Sequence, residues 1–166
     1  MDDPAYRDIL AGYPPQGLAL QLAWEAVVLV APREDLGPGP AGHRFIVPIL
    51  GGRFTGGPAL PGFEGTILPG GADRQTLRPD GIKELSTLYE MHTHDGAVIG
   101  IDNRVIVDAD RSPERYAVSR IHVTAPRGGR WEVLNRRLFL GSLHSRSPNP
   151  GHVVVRAFLV DTAPAA

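Results

Sequence analysis

Glycine and proline cut this chain into short apolar runs at nearly even intervals, and that punctuation points to a β-rich fold. The 166 residues include 20 Gly and 16 Pro. Many tight turns account for such an excess, because Gly supplies positive φ and Pro pre-sets turn geometry. Eight runs between the breaks have strand character: Leu18–Val30, Arg44–Leu50, Gly62–Leu68, Ile82–Thr93, Ala97–Asp108, Ala117–Thr124, Arg130–Leu143 and Val153–Val160. About eight strands with short connections read as an antiparallel sandwich or barrel.

Alternation agrees. In Tyr89-Glu90-Met91-His92-Thr93-His94, one strand face carries Tyr89, Met91 and Thr93, and the other carries Glu90, His92 and His94. Asp95-Gly96 between two strand runs suits a type I′ hairpin turn. Helical signal is slight. Ser112-Pro113-Glu114-Arg115-Tyr116 resembles an N-cap followed by proline at the first helical position, enough for one turn. The expected organisation is an N-terminal arm or short helix over 1–16, one barrel domain over 17–161 and a disordered tail over 162–166. Gly51-Gly52-Arg53-Phe54-Thr55-Gly56-Gly57 precedes no helical pattern, so it reads as a bend in the barrel wall rather than a phosphate cradle.

Composition narrows the function classes. Hydrophobic residues at 42% and charged residues at 21% suit one domain with its own core. The 17 basic and 18 acidic residues give a net charge of −1 with no long run of one sign, so neither a nucleic-acid footprint nor a membrane-surface helix is indicated. There is no cysteine, which excludes disulfides, thiolate nucleophiles and cysteine metal sites. The acidic start MDDPAYRD lacks the pattern of a secretory signal. The most apolar stretch, Leu18 to Ala31, contains Gln21 and Glu25 and is too short to span a bilayer. A soluble, cytoplasmic protein is the expectation. Neither a Gly-x-Gly-x-x-Gly or P-loop motif nor a Gly-x-Ser-x-Gly elbow occurs, so no nucleotide cofactor and no hydrolase triad of the usual kind are expected.

A series of short motifs runs through most of the chain. It comprises Val47-Pro48-Ile49-Leu50-Gly51-Gly52-Arg53-Phe54, Leu68-Pro69-Gly70-Gly71-Ala72-Asp73, Asp80-Gly81, Tyr89, His94-Asp95-Gly96-Ala97-Val98-Ile99, Tyr116, Arg120 and Trp131-Glu132-Val133-Leu134-Asn135. In order and spacing it resembles the bacterial family known as domain of unknown function 3237, from about Leu18 to Val160. The resemblance implies a small closed or nearly closed β-barrel of the calycin or allene-oxide-cyclase type. The chain departs from that pattern at Leu88, where an arginine often precedes the tyrosine, and at His94, where an aspartate is usual. Asp102-Asn103-Arg104 also lacks a glycine often found after the asparagine.

Several residues are candidates for chemistry. Asp73, after two glycines and an alanine, could be a general base or ligand anchor at the barrel mouth, or could cap its own loop in an Asx-turn. His92 and His94 share a strand face and could reach one substrate or one metal, but the metal needs further ligands, for which His122 and Asp73 are possible suppliers; equally they could line a solvated edge. Tyr89 and Trp131 could wall a pocket or fill a core, with Phe54 and Met91 as apolar candidates for the same wall. Asp95 could face a ligand or only serve its turn, and Arg120 could bind an anionic or carbonyl group or only pair at the surface.

The leading expectation is a cofactor-independent enzyme. Asp73, His92, His94, Tyr89 and Arg120 would move protons on a small, largely apolar, aromatic or polyketide-like substrate in an isomerisation, cyclisation or elimination, and Asp95, Trp131, Phe54 and Met91 would contact it. The alternatives are a non-catalytic carrier or sensor, and a metal-dependent enzyme built on His92 and His94. Open strand edges leave room for a homodimer.

Overall fold

The computed structural model describes residues 3–145 and 151–163. A helix α1 (Pro4–Ala11) starts where the Asp3 carboxylate accepts the Ala5 amide at 3.0 Å and Pro4 needs no hydrogen-bond partner. The strands that follow are β1 (Gly17–Val30), β2 (Glu34–Gly39), β3 (Gly42–Gly56), β4 (Gly65–Ile67), β5 (Ala72–Leu77), β6 (Lys83–Thr93), β7 (Val98–Asp108), β8 (Tyr116–Thr124), β9 (Leu138–His144) and β10 (His152–Ala163). Among the described residues no helix is long and apolar enough to cross a membrane.

All pairings are antiparallel, and β1 closes the ring by pairing with both β10 and β3. β4 and β5 occupy one position between β3 and β6, one beside each half of those longer strands. β2 pairs only with β3 and lies off the ring. The result is a closed barrel of eight strand positions; the punctuation left a sandwich or a barrel open, and the family resemblance implied the barrel. Closure needs sharp bends. The pairing shifts register between Leu22 and Trp24 and again between Leu29 and Val30, opposite Gly51. Gly52 sits there at φ 147°, and a Cβ on it would run into the Val27 carbonyl oxygen.

Several details differ from expectation. The Thr93–Ala97 turn is not type I′: the Gly96 amide donates to the Thr93 carbonyl at 3.0 Å, and only Gly96 has positive φ, so a type I turn is followed by a left-handed glycine. Residues 112–115 form no helix, and 132–136 form a 3₁₀ turn before β9 begins at Leu138. β10 runs through Thr162 and Ala163, paired with Leu18 and Gly17, where the tail was expected to begin; 164–166 lie outside the described residues. β2 and β5 were not anticipated.

The two ends of the barrel are packed differently. At one end Trp24, Phe54, Phe63, Trp131 and Phe139 interlock, with Phe63 4.9 Å from Phe54 and 4.8 Å from Trp131 between ring centroids. Asn135 ties the 3₁₀ turn onto this plug, accepting from the Ala125 amide at 2.8 Å and donating to its carbonyl at 3.0 Å. At the other end Val28, Val30, Val47, Ile49, Val107, Val153 and Val155 line a cavity.

Candidate functional site

β6 supplies the spine of that cavity. Period-two geometry turns Lys83, Leu85, Thr87 and Tyr89 inward, in order from the mouth toward the plug. Asp73 of β5 lies opposite Thr87 on one side, and Asn103 of β7 lies opposite Thr87 on the other. Val28, Val47, Ile49 and Val155 complete an apolar wall around a cavity of about 530 Å³, within the range that takes a small organic ligand.

Asp73 is held in one orientation. Thr87 Oγ1 donates to its Oδ1 at 2.8 Å, and Gln75 Nε2 donates to its Oδ2 at 2.7 Å. Each carboxylate oxygen keeps a lone pair for another donor. Burial pushes the carboxyl above the ordinary aspartate value of 3.8, against the pull of the Gln75 and Thr87 hydrogen bonds and the Lys83 charge. Tyr89 is 2% exposed, and burial raises its phenol well above 10. Its hydroxyl and the Asn103 Oδ1 are buried with no hydrogen-bond partner among the described residues, an arrangement that costs stability unless something else fills it. Lys83 is held below the usual lysine value by burial first, then by the charges of Arg33 and Arg115.

Of the residues singled out from the sequence, Asp73 and Tyr89 line the cavity. Asp73 sits on a strand, not on the bent loop expected for it. The histidine pair faces away: His92 is an exposed, outward residue of β6, one step out of phase with Tyr89 and Met91. The His94 side chain is 69% exposed in the hairpin loop, its Nδ1 3.4 Å from Glu64 Oε1. Arg120 points outward from β8, opposite Arg104 and Leu140. None of these three reaches the cavity. Among the described residues no three of His, Cys, Asp and Glu converge as a metal site would require.

The ligand contacts expected of Asp95, Trp131, Phe54 and Met91 are displaced to the plug. Trp131 Nε1 donates to both Asp95 oxygens at 3.1 Å, and Thr93 Oγ1 donates to the same carboxylate. The Thr93 and then the Trp131 hydrogen bond hold Asp95 below its ordinary value. Phe54 and Met91 are packed in the core. Sequence reasoning missed Gln75, Lys83, Thr87 and Asn103. The legible signal was parity: Lys83 and Thr87 fall in phase with Tyr89, and Asn103 interrupts the inward apolar series Ile99, Ile101, Val105, Val107.

Comparison with known proteins gives a consistent picture. Residues 18–160 match the family described as protein of unknown function (DUF3237). A UPF0311 protein of Clostridium acetobutylicum is 45% identical over 65 residues, a match that spans 39% of this chain and 39% of that relative. A β-barrel-like protein from Acinetobacter baumannii superposes with a TM-score of 0.77 at 26% identity, over 90% of this chain and 99% of the other. An enzyme from Penicillium herquei shares the fold at a TM-score of 0.64 and 19% identity, over 89% of this chain and 96% of its own.

Proposed function

The chain belongs to the family of proteins of unknown function called DUF3237, and from that premise we propose that it is an enzyme moving protons on a small, largely apolar molecule in the open end of its barrel. One observation carries the proposal. Asp73 is the one carboxylate lining the cavity, fixed by Thr87 and Gln75 beside an apolar wall of Val28, Val47, Ile49 and Val155 and raised by burial above the ordinary aspartate value, as suits a base. In this reading Asp73 takes a proton from the bound molecule and returns it at another atom. The Tyr89 hydroxyl donates to an oxygen on which negative charge grows, and Asn103 Oδ1 accepts a hydroxyl or amide hydrogen that orients the ligand. Isomerisation, cyclisation and elimination all balance with this inventory, since each moves a proton without a net change of oxidation state. That an enzyme from Penicillium herquei is built on the same fold is in keeping with a catalytic use of the barrel.

Native mass spectrometry of the purified protein identifies what co-purifies, and incubation of that molecule with fresh protein tests turnover. The expected result is conversion by the wild type, loss with Asp73→Asn and a marked slowing with Tyr89→Phe. A molecule that binds the cavity and is returned unchanged would identify a carrier instead.

A further inference from the structure

The mouth of the cavity has a charge pattern that the proton-transfer reading does not use. Three cationic side chains, Arg33, Lys83 and Arg115, line it, against the one carboxylate of Asp73. The chain as a whole carries a net charge of −1, so positive charge is concentrated at this opening. Two of the three are tethered at the rim. The Arg33 guanidinium lies 4.0 Å above the Phe45 ring, and Arg115 donates to the Leu143 carbonyl at 3.4 Å and to Ser145 Oγ at 3.2 Å. Lys83 is different. It is half-buried on the inward face of β6, and no hydrogen bond or ion pair joins its side chain to another described residue.

A half-buried ammonium group loses hydration that no hydrogen bond from a described residue replaces. Arg33 and Arg115 add repulsion, and Asp73 acts on it only through its field. A fold that needed only a dry pocket would gain from a neutral residue here. The arrangement suits a negative group entering from solvent, since it would supply the missing partner to Lys83 and relieve the repulsion among the three cations.

We infer that the molecule taken by the cavity carries one anionic group, a carboxylate or another group of like charge, which Lys83 binds at the mouth between Arg33 and Arg115. Its apolar remainder lies deeper, against Val28, Val47, Ile49 and Val155. Lys83 and Thr87 are four residues apart, roughly 13 Å along the strand, and Thr87 holds Asp73. The anionic group and the atom that Asp73 addresses are therefore several bonds apart: the acid is a handle, not the reacting centre. This inference rests on the cavity being the ligand site.

Two fluorescent probes test it, because 8-anilino-1-naphthalenesulfonate and N-phenyl-1-naphthylamine share their rings and differ in the sulfonate. The wild type should bind the sulfonate roughly tenfold or more tighter, with the preference shrinking as salt is raised. Lys83→Met should abolish the preference and leave the neutral probe unchanged, while Lys83→Arg should keep it. Equal affinity of the two probes for the wild type would overturn the inference, as would a parallel loss of both in Lys83→Met with the fold intact by circular dichroism. The cavity itself is tested separately. Val155→Trp should exclude both probes, and each probe should displace the other from the wild type. Undiminished binding of both by Val155→Trp would remove the cavity as the ligand site, whereas displacement without charge preference would remove only the anionic handle.

Discussion

Asp73, partly buried, and Tyr89, fully buried, are opposite cases of a polar group drawn out of water. Asp73 has donors on both oxygens but is desolvated, so its folded-state pKa lies above the ordinary 3.8. For an acid whose folded value is raised, the associated stability is fully present below the ordinary value and is lost as pH rises through the folded one. The Asp73→Asn variant should therefore melt at or above the wild type at neutral pH, with the difference closing in acid; a scan of Tm against pH checks it. Its turnover should fall by about 10²–10⁴-fold, the usual worth of a positioned base. The acid limb of the wild-type kcat/KM profile should lie above pH 3.8. Tyr89 has the reverse defect, a buried hydroxyl without a hydrogen-bond partner among the described residues. Tyr89→Phe removes that penalty of about 1–3 kcal/mol. The variant should thus be at least as stable as the wild type while binding ligand less well, a split that thermal melting and titration resolve.

Strands sort residues by phase, and this explains why part of the candidate site was legible and part was not. Tyr89 was placed correctly on the face it shares with Met91 and Thr93. The sequence alone could not say which face of β6 looks inward, so His92 and His94 were weighed by residue type, and both lie outside the cavity. Arg120 failed for the same reason on β8. His92→Ala and Arg120→Ala should leave turnover unchanged and shift stability by no more than about 0.5 kcal/mol, as surface substitutions do. β5 was missed because its sequence, ADRQTL, is polar: it walls the cavity instead of the core, so it lacks the apolar face that marks a strand. β2, with sequence EDLGPG, reads as turn residues and is a strand only through its pairing with β3. Gly52→Ala tests the bend that closes the barrel. At φ 147° and against the Val27 carbonyl, it should lower Tm by several degrees without touching the cavity lining.

The molecule as a whole is a barrel with one end packed and one end open. The fold was legible because turn residues, alternation and the family pattern all pointed to it. The division between the ends was not, because it depends on which aromatic rings meet across the interior. Trp24, Phe63, Phe139 and Trp131 come from four separate parts of the chain, and only closure of the ring brings them together. Truncating the plug should be costly: Phe63→Ala should destabilise by about 3–5 kcal/mol in denaturant titration. In the proposed reading, a ligand completes the polar groups of the open end. Catalysis at this end requires that the ligand exchange a proton with Asp73. The direct measurement is to incubate the co-purifying molecule with the protein in D₂O and follow deuterium entering its carbon-bound positions by mass spectrometry. Incorporation catalysed by the wild type and lost with Asp73→Asn is the predicted result; a bound molecule that gains no deuterium, or gains it equally with the variant, would contradict it.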